Sequence, residues 1–316
     1  MDEFDLIAIL NGANPVRRAD VALGIGDDAA LLHPPLKHLV LATDTLVSGV
    51  HFPPDSHPED IGYKSLAVNL SDVAAMGATP LWALLSLTLP EAKADWCEAF
   101  ASGFFALAQR HDVALVGGDT CRGPLSITVS VAGTVDVGVR RAGAQIGDAI
   151  VVTGWLGDAA AGLALAHNRL QASTEARQNL STRLRRPTPR VSAGLALGGL
   201  ATAMIDVSDG LLADLGHILT ASGLGAQLTA EKLPTSRALQ IAIPDQAQRW
   251  PLQLSGGDDY ELLACIPRDR VGELSDLEAA CGHPVTLIGE IRADPELEVT
   301  GHGQPVEMFT AGFQHF

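Results

Sequence analysis

Residues 60–80 read D-I-G-Y-K-S-L-A-V-N-L-S-D-V-A-A-M-G-A-T-P, a helix bounded at both ends. Asp60 is placed to cap it, Gly77 to end it, and Pro80 bars its continuation. Between them Tyr63, Leu66, Ala67, Leu70, Val73 and Ala74 recur at helical spacing and form one apolar face. Ser65, Asn69 and Asp72 stand at i, i+4 and i+7 and form a separate polar edge. Such a helix brings one carboxylate to the border of a buried side. Taken alone, Asp72 reads as a solvated surface acid. Its neighbours in the chain reverse that reading.

Upstream, L-V-L-A-T-D-T (39–45) is a buried strand ending in Thr43 and Asp44; downstream, W-A-L-L-S-L-T-L (82–89) is another. Pro90 is suited to open a helix running to about His111. V-A-L-V-G-G-D-T (113–120) is a strand ending in a glycine pair and an acidic turn, and 126–135 is a further strand. Nearer the start, residues 4–12 read as a short helix, and V-A-L-G-I-G-D-D-A-A-L-L (21–32) as a strand broken by glycines and aspartates. The polar connector R-R-A-G-A-Q-I-G-D (140–148) divides the chain, giving expected domains at 1–137 and 138–316. Beyond it, 149–163 reads strand, turn, helix, and R-R-P-T-P-R (185–190) is a rigid basic link into another helix. M-I-D-V-S-D-G-L-L-A-D-L (204–215) and L-S-G-G-D-D-Y-E-L-L (254–263) supply two more acidic turns, and V-T-L-I-G-E-I (285–291) a late strand. Strands and helices alternate in both halves, which predicts an α/β or α+β fold.

Composition narrows the function. At 316 residues with 47% hydrophobic and 18% charged residues, the chain has ample material for a core. A net charge of −16, from 21 basic and 37 acidic side chains, argues against nucleic acid or an anionic membrane as partner. Cys97, Cys121, Cys265 and Cys281 show no zinc spacing, and the acidic start M-D-E-F-D lacks the basic region of a signal peptide. Buried free thiols in a reducing cytoplasm are the expectation.

Apolar strands run repeatedly into aspartate: Asp27-Asp28, Asp44, Asp119, Asp206 with Asp209, and Asp258-Asp259. One such turn is ordinary, because Asp and Gly suit turn backbones. Several at strand ends suggest convergence, since open α/β sheets bind ligands beyond strand carboxyl ends. Converging carboxylates repel by about 4 kcal/mol per close pair at an effective dielectric near 20, so divalent cations are implied. An oxygen-only donor set favours Mg²⁺. Gly117-Gly118 and Gly256-Gly257 suit backbone approach to phosphate, yet no dinucleotide loop, P-loop or protein-kinase motif is present.

G-I-G-D-D-A-A-L-L, T-D-T-L-V-S-G-V-H-F, Y-K-S-L-A-V-N-L-S-D-V-A-A-M-G-A, G-G-D-T, I-D-V-S-D-G-L and S-G-G-D-D-Y-E-L together resemble, in order, the motifs of the thiamine-monophosphate kinase family. That family belongs to the aminoimidazole ribonucleotide synthetase-like superfamily, and the resemblance covers nearly the whole chain. It implies a two-domain fold of that superfamily, with N-terminal sheets pairing as a barrel in a homodimer and an α/β C-terminal domain. It also implies ATP-dependent phosphorylation of thiamine monophosphate to thiamine diphosphate by direct transfer with several Mg²⁺ ions. Carried over residue by residue, the metal ligands are Asp28, Thr43, Asp44, Asp72, Asp119, Asp206 and Asp209. Nucleotide contacts fall on Gly118, Asp119, Arg141 and Ser208, and substrate contacts on His51, Asp258 and Phe313. Asp72, Asp119, Arg141 and Asp209 are the expected catalytic set. Ala42 replaces a serine, and Asp258 a glutamate, that relatives can carry.

Related activities fit less well. A selenophosphate synthetase needs a reactive cysteine early in the chain, and none precedes Cys97. The hydrogenase-maturation relative uses a C-terminal cysteine, whereas this chain ends G-F-Q-H-F. The purine-pathway cyclase matches the motifs less closely, and intact Asp72, Asp119 and Asp209 speak against a non-catalytic binding module.

Overall fold

The computed structural model describes residues 3–25, 29–34 and 38–306. The chain divides into two compact units, Met1–Val73 with Ala78–Val137, and Ala74–Gly77 with Gly138–Phe316.

The first unit runs α1 (Glu3–Ala13), β1 (Val21–Leu23), β2 (Leu31–Leu32), β3 (His38–Val47), α2 (Pro58–Ala75), β4 (Thr79–Leu89), α3 (Ala94–Arg110), β5 (Ala114–Arg122) and β6 (Ser126–Val135). Its four-stranded sheet has the order β3-β6-β4-β5. β6 pairs antiparallel with β3 and β4, and β5 lies parallel to β4. The parallel pair requires a crossover, which α3 provides. The predicted apolar face of α2 is buried: Tyr63 is 7% exposed, and Leu66, Ala67, Leu70, Val73 and Ala74 are 0%. Gly62 and Gly103 allow α2 and α3 to touch backbone to backbone. A Cβ at Gly62 would come 2.1 Å from the Phe100 carbonyl oxygen, and one at Gly103 1.8 Å from that of Glu59. Trp96, Phe100 and Phe104 stack along α3, with Phe105 edge-on to Phe104. On the sheet's other side Leu39, Leu41 and Leu84 are 47%, 72% and 47% exposed.

Three local expectations are corrected. Helix α2 begins at Pro58, so Asp60 lies in its first turn, donating its N–H to the His57 carbonyl rather than capping. Pro90 sits in the turn after β4, and α3 starts only at Ala94, since proline's fixed φ serves either setting. The 21–32 segment is two short antiparallel strands rather than one interrupted strand.

The second unit contains β7 (Ala149–Thr153), α4 (Asp158–Ala166), α5 (Thr174–Arg185), α6 (Val191–Leu197), β8 (Ala203–Val207), α7 (Leu211–Ser222), β9 (Gly225–Thr229), α8 (Arg237–Ala242), α9 (Gln246–Ser255), β10 (Glu261–Ile266), α10 (Leu274–Cys281), β11 (Val285–Arg292), β12 (Leu297–Gly301) and β13 (Gln304–Pro305). Its seven-stranded sheet has the order β13-β12-β9-β11-β7-β10-β8. Among the described strands of this second sheet only the β12–β9 pair is parallel. Ile150, Val152, Ile205, Leu263 and Ile288 from the strands pack with Leu211, Leu215, Ile218 and Leu254 from α7 and α9. A strand such as β7, buried at every position and apolar but for Thr153, is what a sheet covered on both faces requires. Of the four thiols, Cys97 and Cys265 are buried as expected, but Cys121 is exposed and Cys281 partly so.

Candidate active site

In the first unit the site is built where β3 meets α2. The Asp44 N–H donates to Asn69 Oδ1 at 3.0 Å, and the Asp44 and Asp72 carboxyls hydrogen-bond each other. Asn69 in turn donates to the Ser65 carbonyl at 3.0 Å, and Ser65 Oγ to the Gly62 carbonyl at 2.9 Å. Ser65 and Asn69 are 1% and 0% exposed. The polar edge of α2 is therefore an internal spine that fixes the Asp44 main chain, and only its end, Asp72, is partly open. Burial raises the Asp44 pKa, while the hydrogen bond from Asp72 and the field of His51 act the other way. Such a pair of touching carboxyls is a fitting donor set for a hard divalent ion.

His51 sits in the tight turn after β3. Its N–H donates to the Val47 carbonyl, and its Nδ1 accepts the Val47 N–H at 2.9 Å. With Nδ1 accepting the Val47 N–H, the neutral ring carries its proton on Nε2. Lys64 of α2, only 3% exposed, donates from Nζ to the His51 carbonyl at 3.2 Å.

Thr43 and Asp119 are placed differently. The Thr43 hydroxyl bonds the Val129 carbonyl at 3.2 Å and Ser130 Oγ at 2.9 Å, on the side of β3 opposite the Asp44 carboxyl. Asp119 is exposed on β5, opposite Ser86 in the register. β3 and β5 are the two edges of the sheet, three strand spacings or about 14 Å apart along it. Asp44 and Asp119 both lie inside their strands rather than at strand ends, contrary to the sequence expectation. Gly118, with φ +153°, has its α-carbon so close to β4 that a Cβ would lie 1.8 Å from the Leu85 carbonyl oxygen. Packing alone therefore demands this glycine.

In the second unit two turns are docked on each other. Asp206, 4% exposed, lies in β8 opposite Leu262 of β10. The following turn is closed by Asp214, whose Oδ2 accepts the N–H groups of Ser208, Asp209 and Gly210 at 3.0, 3.1 and 3.1 Å. Burial first, then the neighbouring Asp206, pushes the Asp214 pKa up to about 7. Asp209, Asp214 and His217 present ligand atoms within 4.8 Å of one another. The second turn, 256–260, is tied to the first: Asp258 N–H donates to the Ser208 carbonyl and Tyr260 N–H to that of Val207, both at 2.8 Å. The expected nucleotide residue Ser208 and substrate residue Asp258 are thus joined directly. Arg141 is exposed, next to Arg140, whose carbonyl accepts the Met204 N–H of β8 at 3.1 Å. Asp28 and Phe313 lie outside the described residues.

Sequence reasoning passed over Lys64, Asp214 and Glu261, gave Asp259 only as one of the turn acids, and read Arg190 only as part of a basic link. Asp214 had a usable signal: an acid four residues beyond the glycine of S-D-G, within reach of the turn's free amides. The others carried none, because a buried lysine, acid or arginine declares itself only through partners distant in sequence.

The N-terminal domain of AIR synthase related proteins matches residues 26–135, and the C-terminal domain of the same proteins matches residues 145–302. The chain is 50% identical to a thiamine-monophosphate kinase of Salmonella typhimurium, over 99% of this chain and 98% of that one. A crystal structure of thiamine-monophosphate kinase from Stenotrophomonas maltophilia is similar with a TM-score of 0.85 and 47% identity, covering 96% of each chain. AaThiL complexed with AMPPCP and TMP has a TM-score of 0.79 and 33% identity, covering 99% of this chain and 96% of that one. With both domains matched in order and such identity along the whole length, the chain belongs to the thiamine-monophosphate kinase family.

Proposed function

We propose that this chain transfers the γ-phosphoryl group of ATP to thiamine monophosphate, giving thiamine diphosphate and ADP. The observation that carries this reading is the 50% identity along 99% of the chain to a thiamine-monophosphate kinase. A relative solved with AMPPCP and TMP supports the pair of substrates.

Metal would be held by Asp28, Asp44, Asp72 and Asp119 in the first unit and by Asp206 and Asp209 in the second. Thr43 would join through its main chain, its hydroxyl being engaged elsewhere. Asp44 and Asp119 stand on opposite edges of one sheet, too far apart for a single Mg²⁺ with ligands at about 2.1 Å. Several ions are therefore proposed. Bound Mg²⁺ would supply neutralisation of the phosphate charge. Gly118, Asp119, Arg141 and Ser208 would contact nucleotide, and Arg141, exposed and forked, suits bidentate phosphate recognition. His51, Asp258 and Phe313 would contact the substrate, His51 donating from Nε2. The attacking group is a phosphate monoester with a second pKa of about 6, so near neutrality it carries no proton to remove. No side chain needs to act as general base; the work is positioning and charge neutralisation. Transfer is then direct, with no phosphoenzyme.

A homodimer formed through the open side of the first unit's sheet would cover Leu39, Leu41 and Leu84. A cytoplasmic enzyme fits the family; no helix among the described residues is long and apolar enough to cross a membrane. The test is a coupled assay of ADP release from ATP and Mg²⁺. Release that depends on thiamine monophosphate supports the proposal; release indifferent to it, or none, overturns it.

A further inference from the structure

We infer that Arg183 is a positioning residue for Asp258, holding the substrate turn from behind; this rests on the substrate role proposed for Asp258. The turn needs such a hold. Asp258 and Tyr260 have φ of +69° and +50°, a backbone region that side-chain-bearing residues keep only when their surroundings over-determine it. Alternate residues supply the anchorage, because Asp259 and Glu261 are 1% and 0% exposed while Asp258 stays partly open. Asp259 accepts the N–H groups of Gly157 at 2.6 Å and Ala159 at 3.2 Å, at the start of α4. Glu261 takes a bidentate pair from Arg190, Nε to Oε2 at 2.5 Å and Nη2 to Oε1 at 2.6 Å. This gives the basic segment 185–190 a purpose beyond linkage.

Arg183 is then surplus to the charge balance of Glu261. Its Nη2 nevertheless reaches Glu261 Oε1 at 2.9 Å and the Asp259 carbonyl at 3.4 Å, and its Nη1 reaches Thr188 Oγ1 at 3.0 Å. Its Nε is buried with no hydrogen-bond partner. An incompletely satisfied buried donor lowers stability, whereas the Arg183 charge favours the ionised forms of buried Asp158 and Asp259, so a split between the two KM values, not stability, is what marks a positioning role. What Arg183 uniquely touches is the peptide between the two strained residues. It fixes that peptide's orientation and, through it, the direction in which Asp258 points.

The test is a kinetic double-mutant cycle on the full chain, with Arg183→Met, Asp258→Ala and the pair, and thermal denaturation as a fold check. Arg183→Met should raise KM for thiamine monophosphate at least fivefold while KM for ATP stays within twofold, and Arg183→Lys should recover part of the loss. The double variant should be no worse than Asp258→Ala alone, because one residue acts through the other. Multiplying effects, or equal losses for both substrates, would overturn the inference while leaving the Asp258 assignment standing. If Asp258→Ala leaves KM unchanged, that assignment falls and the inference falls with it. Should Arg183→Met not fold, Arg183→Gln carries the same expectations.

Discussion

Asn at position 72 would keep the shape and hydrogen bonding of Asp72 while removing one of two carboxyls in contact. Two full charges about 4 Å apart repel by about 4 kcal/mol at an effective dielectric near 20, which is the ceiling on what the substitution can relieve. Burial raises the Asp44 pKa while the hydrogen bond from Asp72 lowers it, so a proton held between the two carboxyls offsets part of that cost. The sign follows from linkage: the folded protein holds a proton that the unfolded chain gives up near pH 4, so this site loses stability as pH rises above that value. Asp72→Asn should therefore stabilise the metal-free protein at pH 7.5 by roughly 1 kcal/mol, or about 2–4 °C in Tm, and by nothing below pH 4. With Mg²⁺ and ATP the order should invert, because wild type gains about 2.7 kcal/mol at a hundredfold excess over Kd and the variant gains less. Turnover should fall about 10²–10³-fold, the usual loss on removing one preorganised electrostatic contact. Differential scanning fluorimetry across pH, with and without Mg²⁺ and ATP, reads the stability half of this. Wild-type turnover, or a metal-free variant several degrees less stable than wild type, would refute the reasoning.

Gly118→Ala should cost more than about 3 kcal/mol or prevent folding, since the added carbon meets the Leu85 carbonyl oxygen at 1.8 Å; a soluble variant with unchanged Tm would contradict the packing. Asp214 has its folded pKa raised to about 7, so metal-free wild type should lose stability between pH 4 and 7. Asp214→Asn, keeping an acceptor oxygen for the three amides, should flatten that slope, and equal slopes would remove the group from the account of acid stability. Phosphoryl transfer from ATP chiral at the γ-phosphorus should proceed with inversion, as read by stereochemical analysis of the product; retention would require a phosphoenzyme.

The sequence disclosed more of the fold than of the site. Periodicity in residues 60–80 gave the buried face of α2, because a helix repeats its environment every three or four residues. Its polar edge was visible too, but not its internal role: only the approach of β3 turns Asn69 from a surface amide into the acceptor for Asp44. Helix starts were misplaced at Asp60 and Pro90, because a local residue preference tolerates more than one position. The docking of the 256–260 turn onto Ser208 joins residues some fifty positions apart, and no local pattern announces such a contact. The pairing of Arg183 and Arg190 with Glu261 is hidden for the same reason.

The measurement closest to the central claim follows phosphorus directly. In ³¹P NMR of the purified chain with ATP, Mg²⁺ and thiamine monophosphate, the monoester singlet should give way to the paired doublets of thiamine diphosphate, with ADP formed in equal amount. ADP accumulating with inorganic phosphate while the monoester singlet persists would contradict the kinase assignment.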